Sequence, residues 1–453
     1  MLTLDILMIR VSIGPGDVAG YFSALKSGFD EIGIESEHFM FSSSQYQYEE
    51  SHHTLRRLSI ISTKLRSNRF YLAKITGIFL SVLYRIFIFF YALVRFDTFI
   101  FLGSWSFFNF YDLPILRLFK KKIIVVFIGS DARPPFFNGR YLDDSPRMSD
   151  PRQIKAETDG MRRRIRIIER YADHIINQTA TDQLFTKEYI RFAAVGLPIR
   201  MAKGGNPPSA TDTVKIVHAP SRPIAKGSLV FSRAIEELRK EGFSIDFVEL
   251  TGVPNEVVLD TIASCDFVLD QLYSDTPMAM FATEAAMLGK PAVVGGYYAA
   301  DYAIDNPDSE CPPSLFTPPG EIKDAIRRMI EDRDFRVTLG KQARAFVRTH
   351  WNAAAVARRF VQIAEEQAPP TWLGRPEDTK YIYGWGLSLE AWRKQVGVYT
   401  LCNGWDATGF GHKPALIRKI KDELAIASPD FPAPTNMTAP CQDSNLSEDA
   451  PRA

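Results

Sequence analysis

The chain has 453 residues, 46% of them hydrophobic, with a formal net charge of +1; this gives no whole-molecule basic field for nucleic acid. A chain this long buries more than one core, so two domains with appendages are expected. Cys265, Cys311, Cys402 and Cys441 stand apart, with no C-x-x-C pair and no neighbouring histidines, the usage of a reduced cytosolic protein without disulfides or structural zinc.

In chain order, residues 1–11 hold Asp5 and Arg10 inside an apolar run that flows into Gly14-Pro15-Gly16-Asp17. They read as a first strand over 4–11, not as a secretory signal, and a helix over 18–32 completes a βα unit. The next segment, 51–95, contains Arg56, Arg57, Lys64, Arg66, Arg69, Lys74, Arg85 and Arg95 and no acid, while 75–94 is almost wholly apolar. On a helix, Lys74, Gly77, Ser81, Arg85, Ala92 and Arg95 form a narrow polar stripe. A membrane-crossing helix would put the strands before and after it, which belong to one sheet, on opposite sides of the bilayer. The reading is therefore an interfacial helix with a basic collar on an anionic inner leaflet. A core helix of the first domain is the alternative.

Strands over 98–102, 123–128 and 175–176 alternate with helices over 108–119 and 154–171, an open α/β pattern. The helix run Met161-Arg162-Arg163-Arg164-Ile165-Arg166 makes a basic edge, either a solvated face or a phosphate contact. Residues 197–213 are rich in Pro, Gly and Ser, a linker, after which strands over 214–217, 245–250, 267–270 and 291–294 restart the alternation. Both halves are therefore Rossmann-like α/β units. Helices over 321–330 and 336–365 end at Pro369-Pro370. From residue 428 the composition is that of a disordered tail, and its sequons at Asn436 and Asn445 are irrelevant in a cytosolic chain. The domains expected are 1–199, 200–370, an extension over 371–427 and the tail 428–453.

Three motifs carry chemistry. In His218-Ala219-Pro220-Ser221-Arg222-Pro223-Ile224-Ala225-Lys226-Gly227, Arg222 and Lys226 share a strand-to-helix turn with free backbone N–H groups, a place for a diphosphate. Alone, the pair reads more readily as a solvated edge. In Thr283-Glu284-Ala285-Ala286-Met287-Leu288-Gly289-Lys290-Pro291, Glu284 is placed at the start of a helix to accept hydrogen bonds from a ribose, or is an acid favoured by the helix dipole. Asp131, in Ile128-Gly129-Ser130-Asp131-Ala132-Arg133, ends a strand, where it either binds an acceptor or caps its own loop. His218 is as readily a structural histidine as a pocket residue. The loop from Gly14 to Gly20, with Glu35 beyond it, imitates a dinucleotide fingerprint. Its spacing is wrong, and Asp17 would put a carboxylate where pyrophosphate must approach.

These residues resemble the GT-B glycosyltransferases, in particular the retaining group called family 4. The likeness rests on the glycine turn after strand one, Gly129-Ser130-Asp131, Arg222 with Lys226-Gly227, and Glu284-Ala285-Ala286 followed by Gly289-Lys290-Pro291. It covers roughly residues 1–365, with specific motifs in the second half. The resemblance implies two Rossmann-like domains facing across a cleft, a nucleotide-diphosphate sugar donor held by the second domain, and a glycan or lipid-linked acceptor held by the first. Arg222 and Lys226 then form the diphosphate clamp, Glu284 holds the ribose, and Gly16 and Gly227 let phosphate approach backbone. Retaining sugar transfer is implied, with glycan assembly at the cell envelope as its setting. The family commonly has a second glutamate eight positions before the first, where this chain has Thr276. Thr276 hydrogen-bonds a hydroxyl but supplies no charge, with Asp275 and Asp270 nearby as substitutes. Without a metal-ligand cluster or a convincing D-x-D, the chain is expected to need no metal and no cofactor besides the donor. The rivals are a catalytically silent sugar-binding relative, favoured by Thr276, and an NAD(P)-linked oxidoreductase.

Overall fold

The computed structural model describes residues 9–41, 71–143, 150–202, 205, 212–306 and 311–426. The tail expected from 428, residues 51–70 of the basic segment 51–95 and most of the expected first strand lie outside them.

The first sheet has seven strands in the order β12-β6-β5-β4-β3-β1-β2. Those strands are β1 (Val11–Ile13), β2 (Ser36–His38), β3 (Thr98–Leu102), β4 (Lys122–Val126), β5 (His174–Asn177), β6 (Tyr189–Arg191) and β12 (Leu373–Gly374). All pair in parallel except β12, antiparallel to β6. β3 and β4 read TFIFL and KIIVV and are buried nearly throughout, as strands covered on both faces must be. α1 (Tyr21–Glu31) lies on one face, and α2 (Tyr71–Arg95), α3 (Leu113–Leu118) and α4 (Pro151–Tyr171) contribute to the aromatic-rich core of the other.

The second sheet has five parallel strands in the order β11-β10-β9-β7-β8. These are β7 (Val214–His218), β8 (Ile245–Glu249), β9 (Phe267–Leu269), β10 (Ala292–Gly295) and β11 (Leu315–Thr317). Its helices are α5 (Ser228–Lys240), α6 (Asn255–Ala263), α7 (Met280–Met287), α8 (Ile322–Glu331) and α9 (Arg333–Phe346).

Side chains that seize backbone N–H groups shorten the expected helices. α1 begins at Tyr21 rather than 18 because the Asp17 carboxylate accepts from Phe22 N, at 2.9 Å, and Ser23 N, at 3.0 Å, which caps the helix. α3 begins only at Leu113, since Asp112 accepts from Phe107 N and Phe108 N, both at 3.2 Å, and Asn109 and Phe110 take positive φ. The helix expected over 336–365 is interrupted by a π-turn, Val347–Trp351, and restarts as α10 (Ala353–Ala364) under the Asn352 cap, which accepts from Ala355 N at 2.9 Å.

That interruption moves the chain between domains. Ile199 N donates to Trp351 O at 2.9 Å and Ala353 N to Ile199 O at 3.0 Å, stitching the crossover to the linker. α10 then packs on α1, where a Cβ at Gly28 would lie 2.1 Å from Ala353 O; only glycine permits that approach. The return to the first domain thus precedes residue 370. Beyond β12, α11 (Leu389–Asn403) packs on α4, and α12 (Pro414–Ala425) follows.

Candidate active site

The carboxyl ends of both sheets open on one cavity of about 1000 Å³. Val18 and Ala19 line it after β1, Gly129, Ser130 and Arg133 after β4, Arg222 and Lys226 after β7, Asn255 after β8, Gln271, Asp275 and Thr276 after β9, and Glu284 from α7. Ligands of open α/β sheets bind outside these strand ends.

Lys226 closes a single turn of helix, Pro223–Lys226, that precedes α5. Gly227 joins the two at φ 78, and a Cβ there would come 2.5 Å from Leu272 Cβ. The Lys226 ammonium donates to Asp270 Oδ1 at 3.1 Å, with the Asp270 side chain wholly buried. Arg222 reaches across the domains, its Nη1 donating to Arg140 O at 3.2 Å. His218 lies behind the loop: Nδ1 meets Leu269 O at 2.7 Å and Nε2 meets Ser228 Oγ at 2.8 Å. Burial pushes its pKa down to about 4, so the ring is neutral. A carbonyl only accepts, so Nδ1 carries the proton and Nε2 accepts from Ser228. The histidine fastens the turn to β9 and α5.

Glu284 is the fifth residue of α7 and is 7% exposed. It is therefore not the helix-start acid expected from sequence, and the helix dipole does not account for it. Burial pushes its carboxyl up to about 7, with Asp270 adding to the rise and the Asn255 hydrogen bond and Lys226 opposing it. Lys290, from the same motif, is buried and donates to Cys265 O at 2.6 Å, so Gly289-Lys290-Pro291 serves the turn into β10.

The raised carboxyl has a measurable consequence. Below the ordinary 4.5 Glu284 is protonated in both the folded and unfolded chain, between there and about 7 only the unfolded chain ionises, and above it both do. Stability relative to Glu284→Gln is thus highest at low pH and falls across that window by about 3 kcal/mol, then levels. Urea titrations of the two proteins from pH 4 to 8 measure the difference; parallel curves would show that this carboxyl does not titrate in the window.

Three of the residues proposed from sequence are not on the cavity wall. Gly16 sits against Trp105, where a Cβ would lie 2.8 Å from the ring, and Val18 and Ala19 form the wall instead. Gly227 faces Leu272. Asp131 is buried and turned into its own loop, its Oδ1 accepting from Ile128 N and Gly129 N, both at 3.0 Å; the cap is what the geometry follows. Arg164 of the basic run donates to Asp131 O at 2.8 Å, while Met161 and Ile165 are core. Asp17 occupies the start of α1, where a dinucleotide phosphate would have to sit.

The cavity also contains residues that the motifs did not mark. Arg133 forms a buried ion pair with Asp275 across the domains, the two side chains 3% and 5% exposed. Trp385, from the extension, lines the same wall; its Nε1 donates to Gln271 Oε1 at 2.6 Å and Arg133 lies 5.9 Å from its ring centroid. Its strand-like strap touches both domains, Gly139 N donating to Trp385 O at 2.7 Å and Gly386 N to Tyr273 O at 2.9 Å. Thr276 is on the wall, its N donating to Ser274 Oγ at 3.2 Å. The sequence signals were slight: Trp385 between Gly384 and Gly386, and Arg133 two residues beyond Asp131. Among the described residues, no three His, Cys, Asp or Glu side chains gather as a metal site.

Two open parallel sheets that meet carboxyl edge to carboxyl edge across one cavity define the GT-B class of α/β fold. No protein-family model matches the chain, and no curated protein does. Solved structures similar to it include Anabaena HepE in complex with UDP-glucose, 14% identical over 79% of this chain and 100% of that one, TM-score 0.45. Another is the catalytic domain of starch synthase IV from Arabidopsis thaliana bound to ADP and acarbose, 10% identical over 80% and 99%, TM-score 0.47. The lipopolysaccharide outer core galactosyltransferase WaaB is 11% identical over 79% and 100%, TM-score 0.41.

Proposed function

We propose that the protein is a metal-independent glycosyltransferase that moves a sugar, with retention, from a nucleotide diphosphate to a glycan or lipid-linked acceptor in the cytoplasm. The observation that carries this reading is the convergence of Arg222, Lys226 and Glu284 on one interdomain cavity. In the reaction the bond from the anomeric carbon to the diphosphate breaks, the acceptor oxygen takes its place, and the acceptor proton leaves with the phosphate. Arg222, Lys226 and the N–H groups of their turn neutralise the departing oxygens, and Glu284 accepts from the ribose. The acceptor enters between the β1 and β4 loops, past Val18, Ala19 and Ser130.

The test is a thermal-shift panel of nucleotide diphosphate sugars, followed by donor hydrolysis with whichever stabilises most. A true donor at a hundred times its dissociation constant adds about 2.7 kcal/mol of stability. If no nucleotide diphosphate raises the midpoint, the assignment fails. A second reading, a silent sugar-binding relative, is favoured by Thr276, which supplies no charge, and by Asp275, committed to Arg133. Binding without hydrolysis, with turnover gained in Thr276→Glu, would support it.

A further inference from the structure

We propose that the outward face of α2, continued by the end of α3, is a docking surface for an anionic lipid bilayer, entered from one side and not crossed. Unlike a soluble surface helix, α2 is apolar on its outer face as well as on its inner one. Tyr84, Ile88, Phe89, Ala92 and Leu93 are buried on the sheet, and half-buried Ser81 and Arg85 lie toward that same side, with the Arg85 guanidinium 4.9 Å from the Phe41 ring centroid. Opposite them, Phe79, Leu83, Phe87, Phe90 and Val94 are 61%, 45%, 58%, 56% and 80% exposed. Arg85 is the one charged residue in 75–94, so the outward face carries no charge. Its large apolar side chains leave on the order of 1,000 Å² uncovered, where an ordinary monomer shows a patch of a few hundred.

The topology aims this surface. α2 passes into β3 within two residues, so it runs back over the sheet and its first turns lie toward the carboxyl edge, the cavity side. A helix of 25 residues is about 37 Å long and a five-residue strand about 17 Å, so the front half projects past the sheet. Ile75, Ile78, Phe79, Val82 and Leu83 are accordingly all exposed. At the other end Lys121 Nζ donates to Phe96 O at 2.7 Å, which places the end of α3 beside the end of α2. There Leu118 and Phe119 are 79% and 56% exposed and are followed by exposed Lys120.

Charge selects the occupant. Residues 51–70, which lead into α2, contain Arg56, Arg57, Lys64, Arg66 and Arg69 and no Asp or Glu, matching an anionic leaflet. Crossing is opposed by the face of α2 that is buried on the sheet, a third of its apolar stretch, and by β1 pairing with β3, Val11 opposite Thr98, which keeps both ends of the intervening chain on one sheet.

The test uses the full chain with sucrose-loaded vesicles of phosphatidylcholine, with and without phosphatidylglycerol, and is independent of the donor chemistry. The protein is expected to sediment with the anionic vesicles, and Phe79→Ser/Phe87→Ser/Phe90→Ser to weaken that partition at least about thirtyfold while keeping its melting midpoint. In Phe87→Trp the emission should shift to the blue when anionic vesicles are added, a readout that survives if the triple variant folds poorly. Unaltered partition of the triple variant overturns the proposal, as does equal binding to neutral vesicles. So does a dimer in sedimentation velocity that the triple variant abolishes, with no vesicle binding: the face would then belong to a second copy.

Discussion

Replacing Arg222 and Lys226 together by alanine is expected to weaken nucleotide diphosphate binding roughly 10²- to 10⁴-fold, since each cation contributes a charge-assisted bond of about 1.5–3 kcal/mol. The Lys226 change has a second effect that must be separated from the first. Lys226 is the ion-pair partner of Asp270, whose side chain is fully buried and whose Oδ2 has no hydrogen-bond partner. Leaving that carboxylate uncompensated costs about 3–5 kcal/mol of stability. Lys226→Ala is therefore expected to melt early, and Lys226→Ala/Asp270→Asn to recover stability without recovering affinity. Calorimetric titration of UDP into the folded variants reads affinity, and urea denaturation reads stability. Full affinity in Arg222→Ala/Lys226→Ala/Asp270→Asn would mean that these cations do not clamp a diphosphate.

The elements that sequence placed most closely are those whose pattern is local. The apolar runs of β3 and β4 are short and uninterrupted, and the βα turn at Arg222 to Gly227 combines a proline, two cations and a glycine within six residues. What escaped depends on contacts distant in sequence. α1 and α3 start late because Asp17 and Asp112 capture backbone N–H groups several residues away, a choice that propensity does not encode. The interruption before α10 exists because Ile199, about 150 residues upstream in the linker, offers backbone partners at the crossing, which the helical periodicity of 336–365 conceals. Glu284 lay in a legible motif, yet its register within α7 did not. Asp131 and Arg133 share one loop, and only the tertiary arrangement decides which turns inward and which reaches the cavity.

Trp385 is the plainest example of what local reading leaves out. It belongs to a segment with no strand or helix period, and its place in the cavity comes from backbone bonds to Gly139 on one side and, through Gly386, to Tyr273 on the other. The extension therefore ties the two domains at the same level as the cavity. It also supplies an aromatic face and a donor already aligned on Gln271.

Breaking the Arg133–Asp275 pair from one side is expected to destabilise the protein more than removing both partners. The two side chains are 3% and 5% exposed, and a lone charge left in so dry a site costs about 3–5 kcal/mol, whereas an apolar pair of similar volume is close to neutral. Arg133→Met alone should lower the melting midpoint by roughly 3–5 °C. Arg133→Met/Asp275→Leu should restore most of it. Because the pair joins domains that also share one hydrophobic cluster, Val126 and Ile176 on one side and Val217 and Val268 on the other, calorimetry carries a further signature: the single variants should broaden the unfolding transition as one of the shared restraints is lost. If the single and double variants melt alike, the pair does not couple the domains. If the double variant regains stability and loses turnover, then Arg133 and Asp275, at the wall beside Thr276, act on the bound sugar as well as on the fold, which would place the missing negative charge of the Thr276 position on its neighbour.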